Sequence, residues 1–213
     1  MLNEFKIGET EIFRRLNSPA KIQDFLNKLK INFEEERETC MSPRRVLATG
    51  KAHCMEGALL AAAALKFHGF PPLIVDLEAI KEDFDHVVAV FQIKGKWGAL
   101  GKTNHAVLRY REPVYRDIRE LVMSFFHEYF LNENGKKTLR KYSLPVDLSM
   151  FDSKDWMISE KDVWFVPDYL AKVKHYNILD IGQAWRLRKA DAIEIKAGKL
   201  VVEKEIKIKT QGS

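Results

Sequence analysis

The stretch from Cys54 to His68 constrains this chain more than any other. Residues 53–68 are built almost wholly of strong helix formers, with four consecutive alanines at 61–64. Gly69 and then Pro71-Pro72 stop the helix. A helix that is apolar on nearly every side has to be buried, so the rest of the chain must wrap around it. Its small residues let it lie close against a sheet. The strongly apolar part, residues 58–65, is far too short to span a bilayer.

The surrounding periodicities supply the wrapping. Ile12, Phe13 and Leu16, and then Ile22, Phe25, Leu26 and Leu29, recur at helical spacing. Ser18-Pro19 gives the second of these segments its cap and first position. Beyond the prolines, residues 73–77 form a short apolar strand and residues 86–93 a Val-rich one. Lys94-Gly95-Lys96 is a turn, and residues 97–100 return as a strand. Residues 115–131 read as a second helix, with Ile118, Leu121, Val122, Phe125, Phe126 and Tyr129 on one face. Residues 142–170, aromatic and broken by Pro145 and Pro167, read as a loop-rich layer over the core, with Trp156 and Trp164 able to line a cleft alongside Trp97. Residues 193–209 alternate around Ala197-Gly198 and read as a β-hairpin. The expectation is one α+β domain over residues 1–213. Its central Cys-bearing helix packs on an antiparallel sheet, with extra helices and a C-terminal hairpin appendage at 190–210.

Composition narrows the setting. With 46% hydrophobic and 31% charged residues over 213 positions, the chain can bury a core without disulfides or metals. It has two cysteines, Cys40 and Cys54, and no basic-then-apolar leader, which points to a reduced, cytoplasmic setting. The net charge is +5, and its excess is concentrated at one end: from Arg186 on, eight Lys or Arg face four acids. A solvated polar face accounts for that tail. No nucleic-acid or membrane partner is expected, and the oligomeric state is left open.

Two residues carry the chemistry. Cys54 opens the buried helix, where unpaired N–H groups and the helix dipole favour thiolate. His86, in Phe84-Asp85-His86-Val87-Val88, stands at the entry of a strand that can face the helix start across the core. A thiol beside an imidazole is a nucleophile with its base. His53, Cys54, His86 and His105 include zinc-type ligands but lack the paired short spacing of a structural zinc site, so no metal and no cofactor are expected. Arg109, Arg111, Arg116 and Arg119 cluster around Pro113 and read as solvated charge.

The order of these features over residues 45–105 resembles the transglutaminase-like superfamily, with its papain-type core. A loop and Gly precede Cys at a helix start. An alanine-rich helix, Gly-Phe-Pro-Pro, a strand, Asp-His-Val-Val and Gly-Lys-Trp follow. The resemblance implies Cys54 as nucleophile, His86 as general base, and attack on an amide or ester of a peptide or protein substrate. It also implies an Asp about four residues after Trp97, where this chain has Gly101. Asn104 is the nearest substitute able to orient an imidazole. Asp85, Asp76, a backbone carbonyl or no group at all are the alternatives. A catalytically inactive relative serving as a peptide- or protein-binding module is the second reading.

Overall fold

The structure is a computed structural model and describes residues 5–204. In chain order the elements are α1 (Ile7–Arg15), α2 (Pro19–Lys28), β1 (Lys30–Ile31), α3 (Pro43–Thr49), β2 (Lys51–Ala52), α4 (Cys54–Phe67), β3 (Leu73–Ala79), β4 (His86–Ile93), β5 (Lys96–Leu100) and β6 (Arg111–Tyr115). They continue with α5 (Ile118–Phe126), β7 (Leu139–Ser143), β8 (Val146–Asp147), a 3-10 helix (Leu148–Lys154), α6 (Phe165–Leu170), β9 (His175–Asn177), α7 (Ile181–Trp185) and α8 (Ala192–Gly198). This is a mixed α+β architecture. Six strands run in the order β6-β5-β4-β3-β7-β9, β8 pairs with the start of β3, and every pairing in this sheet is antiparallel.

The sheet separates two apolar layers. Along β4, Val87, Ala89 and Phe91 face α4, while Val88 and Val90 face α5. This is the strict alternation of a strand buried on both sides. Residues 58–65 of α4 are at most 1% exposed, so the helix is enclosed on all sides as its composition requires. Burying each of its three leucines contributes about 1.5–3 kcal/mol relative to exposure. The β4–β5 hairpin closes through Lys94 and Gly95 at φ 50° and 75°, a turn whose hand matches the strand twist and which glycine adopts without cost. Among the described residues, no helix is long and apolar enough to cross a membrane.

Two sequence expectations need correction. The helix expected over 115–131 is shorter, Ile118–Phe126. Tyr115 is taken by pairing with Trp97, and Asp117 accepts the Glu120 N–H at 2.8 Å, which starts the helix there. The hairpin expected over 193–209 is, as far as residue 204, the helix α8 and a single bridge from Val201 to His105. Asp191 caps that helix, its N–H donating to Glu194 at 2.6 Å, and this local capping outweighs the alternation of apolar residues. The rest of the expected hairpin lies outside the described residues. In the 142–170 layer, Trp156 is fully buried against the α4 side of the core.

Candidate active site

The helix α4 begins at Cys54 because the chain is pinned just before it. Lys51 and Ala52 pair in parallel with Lys30 and Ile31. His53 follows as the extended N-cap, and its N–H donates to Glu56 Oε2 at 3.1 Å. The N–H groups of Cys54 and Met55 make no hydrogen bond among the described residues. They sit at the positive end of a 14-residue buried helix, which favours an anion.

Cys54 and His86 line one cavity of about 640 Å³, together with His53, Lys102, Asn104 and Tyr129. By the alternation of β4, His86 belongs to the α5 side with Val88 and Val90. It is the strand's first residue, however, and stands at the sheet rim where the cavity takes in groups from both sides. His86 is 6% exposed, whereas Cys54 is partly accessible. None of Trp97, Trp156 and Trp164 is among the described residues lining this cavity.

Opposing influences set the thiol. Withdrawal from water raises its pKa. Short-range polar contact with His53 and then with His86, together with the charge of both rings, lowers it, and the balance falls at about 5. His53 moves in the other direction. Burial lowers its pKa, but contact with Cys54, the charges of Glu56 and Cys54, and the Thr39 carbonyl bring it up to about 9. Near neutral pH the site therefore holds a thiolate beside an imidazolium. Cys40 is the contrast: it is 1% exposed, and burial followed by the charges of Glu56 and Asp162 pushes its thiol far up.

His86 Nε2 is buried and has no hydrogen-bond partner. The reason lies at Gly101. A side-chain carbon at 101 would stand 3.4 Å from that nitrogen, 3.4 Å from Val88 Cγ1 and 3.1 Å from the Leu108 carbonyl. The buried amide of Gln23 holds the backbone there from both sides, accepting from Gly101 N at 3.0 Å and donating to Gly101 O at 2.9 Å. Leu108 is itself in the left-handed region, at φ 60°. Position 101 thus faces His86 Nε2 and has no side chain to offer it.

The other expected partners of His86 are engaged elsewhere. Asn104 clamps the chain's C-terminal side: its Nδ2 donates to the Glu203 carbonyl at 2.9 Å, and its Oδ1 accepts the Glu203 N–H at 2.9 Å. The expectation that Asn104 orients His86 is therefore corrected; both ends of its amide are satisfied by the backbone of Glu203, 99 residues away. Asp85 accepts from Ala79 N at 2.8 Å, and Asp76 lies 3.0 Å from His175 Nε2. His105 meets the Gly198 carbonyl through Nδ1 at 3.0 Å. Of the four arginines read as solvated, Arg111 pairs with Glu128 and Arg116 with Glu120. Among the described residues, no group of three or more His, Cys, Asp or Glu could hold a metal ion.

One residue at the site was not singled out from the sequence, and His53 stood out there as a zinc-type ligand rather than as a neighbour of the thiol. Glu56 is completely buried and accepts four hydrogen bonds: from Asn32 Nδ2 at 3.0 Å, Thr39 Oγ1 at 2.8 Å, Met41 N at 2.9 Å and His53 N at 3.1 Å. His53 leans on this group. A signal for Glu56 was present: an acid inside an all-apolar helix must find partners, because an unpaired buried charge costs too much. Three of the four partners come from residues 32–41, which carry no periodic pattern. Comparison of the sequence with protein-family models and with curated proteins finds no match to either.

Proposed function

We propose that the chain is a cysteine acyl-transfer enzyme of transglutaminase-like, papain-type build, acting on an amide or ester through a thioester on Cys54. The observation that carries this reading is the thiol itself. It stands at the start of a buried helix, opens on a cavity, and is held near pKa 5 against burial by two imidazoles. An inert structural cysteine behaves as Cys40 does. The central helix on an antiparallel sheet, with His86 opening the adjacent strand, also supports it.

The chemistry follows from the parts. The Cys54 sulfur attacks the substrate carbonyl carbon, and the oxyanion that forms lies within reach of the free N–H groups at the start of α4. His86, which takes the thiol proton, returns it to the leaving amine or alcohol as the C–N or C–O bond breaks. Water or an amine then gives a proton to His86 and attacks the thioester, and the thiolate departs. An activated acyl ester such as p-nitrophenyl acetate tests this. The expected result is a burst of about one p-nitrophenolate per chain, with the acetyl group on Cys54 by mass spectrometry. His86→Gln slows the burst about 100-fold or more. Acetylation spread over lysines and Cys40, with none favoured at Cys54, overturns the reading. One observation favours the binding-module alternative: the unpartnered His86 Nε2 opposite Gly101. A stable complex with peptide and no acyl intermediate would select it.

A further inference from the structure

His53 is placed as no ordinary N-cap residue would be. Its ring Nε2 lies 3.0 Å from the Thr39 carbonyl, which can only accept, so that nitrogen carries a proton. The same nitrogen is 3.5 Å from Glu56 Oε1 and 3.7 Å from Glu34 Oε1. Glu56 is fixed by four donors and cannot swing away. A ring held this way has one nitrogen committed to a carbonyl and two carboxylates, and it stands directly beside Cys54 in the chain and in the cavity.

Among the described residues, His86, Asp76, Tyr129 and Cys40 also interact electrostatically with the sulfur, and Asp83, Asp85, His105 and Glu128 share its cavity. Lys102 also lines the cavity, but its Nζ donates to the Leu29 carbonyl. Among the described residues, the cationic groups that act on the thiol are the two imidazoles. They differ in surroundings: His53 is backed by carboxylates, whereas His86 Nε2 has no partner.

We propose that the two histidines divide the work, with His53 as a positioning residue that keeps its proton and holds the sulfur ionised, and His86 as the group that moves protons. This rests on the acyl-transfer reading of the site. Glu56 favours the protonated form of His53, so a positive charge stays beside the sulfur after His86 has given up its proton. A dyad without a third member can then work, because the orienting group missing at Gly101 is not needed to keep the thiolate.

Thiolate absorbance near 240 nm, followed against pH with Cys54→Ala as the blank, tests the division without any substrate. The unaltered protein is expected to form thiolate well below pH 7. His53→Gln, which keeps a donor for the Thr39 carbonyl, is expected to shift the midpoint upward by about one to three pH units, and His86→Gln by less. Should His53→Gln fail to fold in a thermal melt, His53→Asn, a strong N-cap residue, gives the same readout. A low midpoint in the unaltered protein that stays equally low in the His53 variant overturns the proposal and leaves the acyl-transfer reading standing. An ordinary thiol midpoint in the unaltered protein removes both.

Discussion

Placing an aspartate at position 101 would show whether His86 Nε2 lies where the geometry puts it. A carbon at 101 falls 3.4 Å from His86 Nε2, so a carboxylate one bond further on can reach that nitrogen. The same carbon meets the Leu108 carbonyl at 3.1 Å, a contact that requires a small shift and costs about 1–3 kcal/mol. Gly101→Ala carries that steric cost alone and is the control. The aspartate adds an opposite charge beside the imidazole, which raises its pKa by about 1–3 units, at about 1.4 kcal/mol per unit. The gain belongs to the protonated ring. The stability difference between the Asp and Ala forms is therefore largest near pH 6 and fades as pH rises through the raised imidazole value. Nitrogen-15 NMR of the histidine rings measures this directly, with denaturant melts in parallel. The expected outcome is a His86 midpoint at least about one unit higher in Gly101→Asp than in Gly101→Ala. Identical midpoints would refute the placement of Nε2 toward position 101.

Three further outcomes follow from the same geometry. Glu56→Ala leaves four donors without their acceptor and should lower unfolding stability by about 3–5 kcal/mol; a loss under about 1 kcal/mol in urea melts would contradict the buried hub. Asp76 is held up at about 6, by burial first and by the charges of Asp85 and Cys54, against the pull of His175. The folded state therefore binds that proton more tightly than the unfolded one, and the cost of ionising it is full above pH 6 and absent below about 4. Asp76→Asn should accordingly stabilise the protein by about 1–3 kcal/mol at pH 7.5 and hardly at all at pH 4, and equal destabilisation at both would contradict this. Asn104→Ala should remove the clamp on Glu203, lowering stability by about 1–2 kcal/mol and speeding proteolysis near residue 203. It should leave the Cys54 titration in place; a shifted thiol would restore Asn104 as an orienting residue.

How far the sequence reaches depends on where each interaction partner lies along the chain. The helix α4 and the β4–β5 hairpin are written locally, in an unbroken apolar run, a β-branched run and a two-residue turn, and the structure has them at those places. The start of α5 turns on a single capping residue, Asp117, which periodicity alone does not see. At the C-terminus, Ile193, Ile195 and Leu200 mimic strand alternation, yet Asp191 and Glu194 close a capping box and make a helix. The site divides in the same way. That Cys54 opens a helix and His86 a strand was legible because both are local features. Asn104 was misassigned because its true partner, Glu203, is far along the chain. The hold on His53 depends on Glu56 within α4 and on Glu34 and Thr39 from a segment with no regular structure.

The central claim is that Cys54 is a thiolate under conditions where Cys40 is not. Iodoacetamide labelling over pH 4–10, with each cysteine resolved by peptide mass spectrometry, measures both in one sample. The expected result is a Cys54 labelling rate that rises with a midpoint near 5 and is already at its plateau by pH 7, while Cys40 stays unlabelled until the protein unfolds. A Cys54 midpoint at or above the ordinary free-thiol value of about 8.5, or labelling of the two cysteines in step, would contradict the account.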